Sequence, residues 1–167
     1  MKRFLLAASA AALMTMAGVS GAYAQNRTIV SQAGFSNGAA AVQQGTRNEA
    51  QIDQSGRRHY SRAVQYGRDN FLRMQQGGTR NEAVTEQNGS NNLAVTGQEG
   101  RNLAAGIYQS GSGNVSGIAQ IGNGSIATTD QVGRNNTTGV IQVGNNQDAN
   151  VTQRGNGNIT VVIQGGP

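Results

Sequence analysis

One feature constrains everything else in this chain: glutamine recurs at a strict interval of 11 residues. From Gln32 it returns at Gln43, Gln54, Gln65, Gln76, Gln87, Gln98, Gln109, Gln120, Gln131, Gln142, Gln153 and Gln164, with no insertion or deletion. Glycine keeps the same register two residues later, at Gly34, Gly45, Gly56, Gly67, Gly78, Gly89, Gly100, Gly111, Gly122, Gly133, Gly144, Gly155 and Gly166. Asparagine stands six residues before the glutamine at Asn26, Asn37, Asn48, Asn70, Asn81, Asn92, Asn114, Asn136 and Asn158, while His59, Leu103, Ser125 and Gln147 fill the other places in that column. Such a chain stacks near-identical units, each packed only on its neighbours.

Within the unit N-x-[small]-x-[apolar or Thr]-x-Q-x-G-x-x the marked strand positions lie two apart, which is the side-chain period of a β-strand. The spacing predicts thirteen strands, from 26–32 and 37–43 onward in steps of 11 to 158–164. The remaining x-G-x-x predicts a turn, with glycine accepting a positive φ. Charge shows which face is inside. The chain is 13% charged, yet none of the four marked columns holds Asp, Glu, Lys or Arg in any unit, so these columns read as interior. The third column is mostly Ala, Ser and Thr, and the fifth is mostly Val, Ile and Thr. These side chains suit a thin core between two sheets.

The expected fold is therefore all-β: a two-sheet β-solenoid of about thirteen short strands, 11 residues per strand and turn and 22 per coil. Residue i would lie over i+22, with coils about 4.8 Å apart and sheets about 10 Å apart. Gln over Gln and Asn over Asn would then form amide ladders that satisfy buried polar groups. A flat antiparallel meander would leave the uncharged columns open to water. A three-sided solenoid with 33 residues per coil has the same spacing.

Residues 1–24 read as a secretory signal peptide. Lys2 and Arg3 precede an apolar run from Phe4 to Ala17, and Ala22-Tyr23-Ala24 fits a cleavage site. The mature chain would begin at Gln25, leaving 143 of 167 residues, or thirteen units of 11. Exported chains with weak cores often depend on disulfides. This one has no Cys, so the ladders must serve instead. The 18 Asn, 18 Gln and 25 Gly are then largely positional, not a low-complexity bias.

The segments Gln32–Gln43, Gln43–Gln54 and Gln76–Gln87, each Q-x-G-x-x-N-x-A-x-x-x-Q, closely resemble the curlin repeat, and the resemblance covers essentially the whole mature chain. It implies a secreted subunit of curli, the functional amyloid fibres of biofilms, which crosses the outer membrane unfolded and stacks end to end at the cell surface. The partners it implies are further copies of the chain, a second curlin subunit, an outer-membrane secretion channel and periplasmic accessory proteins. The Arg-containing units resemble the minor, nucleating curlin, whereas the regular apolar final strand is more like a major subunit.

Outward positions alternate in character from strand to strand. Leu93, Val95, Val115, Ala119, Ile141, Ile159, Val161 and Ile163 fall on one face, whereas Glu82, Glu86, Asp130, Asp148 and Asn150 fall on the other. The apolar face, above all Ile159, Val161 and Ile163, is a candidate lateral contact. Glu49, Asp53, Glu82 and Glu86, with arginines in the turns, read as gatekeepers against premature pairing. Those arginines could also attract anionic matrix polymers, with no specific nucleic acid implied.

Catalysis finds no support. His59 is the single histidine and occupies an Asn position, and Glu49/Asp53 and Glu82/Glu86 lie about 13 Å apart along a strand, too far for a retaining carboxylate pair. No cofactor or metal is expected. An ice-binding solenoid would need a regular outward Thr array, and Thr128, Thr137 and Thr152 are too sparse.

Overall fold

The computed structural model describes residues 25–166; the signal peptide assigned to 1–24 lies outside them. The thirteen strands are β1 (Arg27–Phe35), β2 (Gly38–Thr46), β3 (Glu49–Arg57), β4 (Tyr60–Arg68), β5 (Phe71–Thr79), β6 (Glu82–Ser90), β7 (Leu93–Arg101), β8 (Ala104–Ser112), β9 (Val115–Asn123), β10 (Ile126–Arg134), β11 (Thr137–Asn145), β12 (Asp148–Asn156) and β13 (Ile159–Gly165). Odd-numbered strands form one sheet of seven in chain order, and even-numbered strands form a sheet of six. Two sheets, not three, close each coil, so the fold is a two-sheet β-solenoid with 22 residues per coil.

Every adjacent pair within a sheet is parallel and in register at i and i+22, as in Gln54↔Gln76 and Gly56↔Gly78. Like residues therefore stack on like. Two apolar clusters fill the interior, one from Ala50, Ile52, Ala63, Leu72, Met74 and Ala83, the other running from Ala94 through Ile107, Ile118 and Val140 to Val151. Each fully buried aliphatic side chain contributes roughly 1.5–3 kcal/mol. Small residues in the third column allow the sheets to approach, while β-branched residues in the fifth fill the space between them.

The strands are longer than the seven residues expected. They run on past Gln through Gly and one further residue, and only two residues separate consecutive strands. The physical reason is that the hydrogen bonds run between coils, so a corner need not interrupt them. Thus Arg58 N–H still donates to the Phe35 carbonyl at 2.9 Å beyond the end of the β1–β3 ladder. Two residues make the corner. Twelve of the repeat glycines, Gly34 to Gly155, have φ between 101° and 138°. Two residues on, a second position is left-handed, and there Ser36, Arg47, Arg58, Asp69, Arg80 and four asparagines adopt φ of 52–58°.

Candidate assembly interface: amide ladders and open edges

Glutamine sits where its strand meets the corner, and in the inner coils its side chain is buried. Each amide bonds in two directions. Along the axis, Nε2 donates to the Oε1 of the glutamine one coil later: Gln32 to Gln54 at 2.6 Å, then 2.8 Å for Gln54 to Gln76 and for Gln76 to Gln98. The odd sheet continues through Gln98, Gln120 and Gln142 to Gln164. The even sheet carries the parallel series from Gln43 through Gln65, Gln87, Gln109 and Gln131 to Gln153. Across the core, the same Nε2 donates to a backbone carbonyl of the facing sheet, as Gln87 does to Phe71 at 3.0 Å. Both amide hydrogens are thereby satisfied inside a low-dielectric core, where an unpaired polar group would be costly.

Asparagine solves a different problem, set by the corner. There the backbone N–H turns off the coil-to-coil ladder, and the Oδ1 of the asparagine one coil earlier receives it, as Asn48 does from Asn70 N–H at 3.2 Å and Asn70 from Asn92 N–H at 3.1 Å. The Nδ2 donates to the carbonyl of a corner glycine, as from Asn92 to Gly111 at 3.1 Å. His59 reproduces both contacts. Its Nδ1 lies 3.3 Å from Asn81 N–H and its Nε2 lies 3.1 Å from the Ser55 carbonyl, so Nδ1 accepts while Nε2–H donates. Leu103 has no acceptor to offer and breaks the series, and Ser125 resumes it by accepting Gln147 N–H at 3.2 Å. Among the described residues, Thr85 Oγ1 and Gln147 Oε1 are buried side-chain polar atoms without a partner.

The glycine column is a steric requirement. A Cβ on Gly100, at φ 138°, would fall well inside the van der Waals radius of the Gly122 carbonyl oxygen, whereas at Gly97 it would meet nothing within 4 Å.

Outside the core, charges reach up and down the stack. Arg27 pairs with Glu49 at 3.3 Å and Arg62 with Glu86, while Asp53 accepts from Gln51 at 2.9 Å. At the corner, Arg47 grips Asp69 with two bonds of 2.6 and 2.8 Å. That hydrogen bonding holds the Asp69 carboxyl below its ordinary range, against an opposing desolvation effect and with help from the charges of Arg47 and Arg68. Among the described residues no group of three or more His, Cys, Asp or Glu side chains is placed to hold a metal ion.

The ends are unlike the middle. β1 and β13 bound the seven-stranded sheet and β2 and β12 the six-stranded one, each with one backbone edge open. Gln32, Gln43 and Gln164 are half-buried, and Asn158 is exposed. Ile159, Val161 and Ile163 point outward from β13 with 77%, 64% and 72% of their surface exposed, whereas their counterpart Ile141 on β11 is 42% exposed. The apolar outward residues from Leu93 to Ile163 lie on the odd sheet; Glu82, Glu86, Asp130, Asp148 and Asn150 lie on the even one.

This repeat is matched by the family model for the curlin associated repeat at residues 25–56, 45–78, 78–107 and 125–155, together more than half of the chain. The chain belongs to the curlin-repeat family. No curated protein matches its sequence significantly. Curlin repeats mark structural subunits, not enzymes, and the coils supply the physical content of the motif: Gln and the corner Asn bond the polar interior while Gly lets the corners stack.

Proposed function

We propose that this chain is an exported structural subunit that polymerises by edge-to-edge β-stacking into extracellular, curli-like functional amyloid fibres, serving biofilm matrix, cell adhesion and aggregation. The observation that supports this reading is the pairing of open strand edges with ladders that stop in mid-series at both ends. An exposed edge of regular strands is a template for another chain. Here the template also offers unfinished amide columns whose next member another copy can supply. Residues 1–24 support export, and family membership supports passage through an outer-membrane channel with periplasmic helpers. The amide and glycine columns would form the amyloid core. Ile159, Val161 and Ile163 would serve lateral contact between filaments, and corner arginines would attract anionic matrix polymers.

The test is direct. Purified residues 25–167 should bind thioflavin, form fibres under negative stain and give a cross-β reflection near ~4.8 Å. A chain that stays monomeric at high concentration would overturn the proposal. The corner arginines favour a second reading, a minor subunit that nucleates or anchors fibres. Acceleration of another curlin's assembly at substoichiometric ratio would mark that role.

A further inference from the structure

The two sheets contain different numbers of strands, seven and six, and this decides how one copy can sit on another. Suppose the next copy is added by translation along the axis, with its β1 on β13. The odd sheet then continues, but its β2 stands one strand too high above β12. Two strand edges face each other across a gap of about 10 Å, twice the normal spacing, with their backbone groups unpaired. If the next copy is instead turned about half a revolution, so that its β1 lies on β12 and its β2 on β13, both gaps close.

We infer that successive copies join head to tail with a half-turn, the odd sheet of each copy continuing the even sheet of the one before it. This rests on the fibre reading above and specifies its contact surface. Three observations independent of strand count support it. First, the i+22 register places the next copy's Asn26 above Gln147. Gln147 Oε1 is a buried acceptor without a partner, in the column where each side-chain acceptor receives the N–H of the residue one coil later. The Asn26 N–H is the donor this register supplies. Second, the next copy's Arg27 comes over Asp148. The same two positions one coil apart hold the Arg27–Glu49 ion pair at 3.3 Å, so the reach is demonstrated within the molecule. Third, the next copy's Gly38, Ala40 and Val42 come over Ile159, Val161 and Ile163, the most exposed apolar row of the molecule. Without the half-turn, Arg27 and Ser31 would lie over Ile159 and Ile163, while Gln147 would face the gap.

The ladders also fix the polarity. Every glutamine donates toward the C-terminal coils, so that end presents the Nε2 groups of Gln153 and Gln164. The opposite end presents the Oε1 atoms of Gln32 and Gln43, and in the half-turn stack these meet in pairs. Two like ends would set donor against donor or acceptor against acceptor.

Because the chain has no cysteine, cross-linking can test the arrangement. Ser31 of one copy should stand beside Thr152 of the next, at a parallel-strand spacing of about 4.8 Å that is compatible with a disulfide. Fibres of the S31C/T152C variant, oxidised and then denatured, should give a ladder of covalent multimers, whereas S31C/I163C fibres should give monomers. The reverse pattern, or no cross-link in either, would overturn the half-turn. Helical reconstruction of unsubstituted fibres provides a second readout: a rise of about 31 Å per copy, from 6.5 strands per sheet, with odd and even sheets alternating. A rise of about 34 Å with each sheet stacked on its own kind would refute it. Failure of the unsubstituted chain to form fibres at all would instead sink the fibre reading, and this inference with it.

Discussion

Gln87→Ala tests whether the amide ladder stabilises the fold or merely accompanies it. Gln87 is 1% exposed. Its amide accepts from Gln65 Nε2 at 2.8 Å, donates to Gln109 Oε1 at 2.9 Å and donates to the Phe71 carbonyl at 3.0 Å. Truncation does not strand Gln65, whose Nε2 keeps the Glu49 and Asn70 carbonyls. It does remove the donor to Gln109 Oε1 and the cross-sheet donor to Phe71. Each buried group left unsatisfied costs about 1–3 kcal/mol, and the missing side-chain volume adds about 1 kcal/mol. The expected loss is about 4 kcal/mol. With a guanidinium slope of about 4 kcal/mol per M for a chain of this size, the unfolding midpoint should fall by about 1 M, as read from the β signal in circular dichroism. Gln51→Ala is the control, because that side chain is only half-buried and bonds only to Asp53 on its own strand. It should cost less than about 0.5 kcal/mol. Equal midpoints for the two variants would refute the assignment of stability to the buried ladder.

Four further outcomes follow from the same geometry. Gly100→Ala, which combines φ 138° with a clash against the Gly122 carbonyl, should cost at least about 2 kcal/mol, whereas Gly97→Ala should stay within about 0.5 kcal/mol of the parent in the same denaturation assay. His59→Asn restores the repeat residue and should change stability by less than about 1 kcal/mol, but His59→Leu abandons Asn81 N–H and the Ser55 carbonyl and should cost about 1–3 kcal/mol. Asp69, whose folded-state titration is depressed by Arg47, contributes stability above its unfolded pKa and loses it as pH falls through the lower folded value; Asp69→Asn should flatten the stability–pH curve in the acid range below about pH 4. Val161→Asp should reduce lateral bundling in micrographs and leave elongation rates unchanged, and unchanged bundling would remove the lateral-contact proposal.

Much of this architecture could be read before any coordinates. The 11-residue interval and the uncharged columns specify strands, an inner face and a register, because identical units have one way to stack that buries every uncharged column. The corners were harder to read. Counting Gln as the end of a strand treats the following residues as an interruption, but bonds between coils pass through them, so β1 reaches Phe35. Nothing in Arg47, Arg58 or Arg80 as residue types announces a left-handed backbone; stacking imposes it. Asparagine was expected to ladder with itself. Its main task is to accept a backbone N–H that the corner turns aside, a need visible only once the corner has a shape. His59 looks like an error in the repeat until its two ring nitrogens are seen at the positions of the amide's acceptor and donor. The unpaired Gln147 Oε1 has no sequence signature at all.

The 11-residue unit makes the length of such a chain a discrete quantity with two classes. Gain or loss of one unit moves the final strand to the opposite sheet and changes which edges come level at the joint. Gain or loss of two units lengthens the molecule and leaves both ends as they were. Among relatives built from this unit, even-numbered members should stack without rotation and odd-numbered members with a half-turn. An odd and an even member should still share one growing fibre, because each presents the same register of Gln, Asn and Gly to the next arrival. Copy number would then set the handing-over of sheets along the fibre without altering the chemistry of the joint.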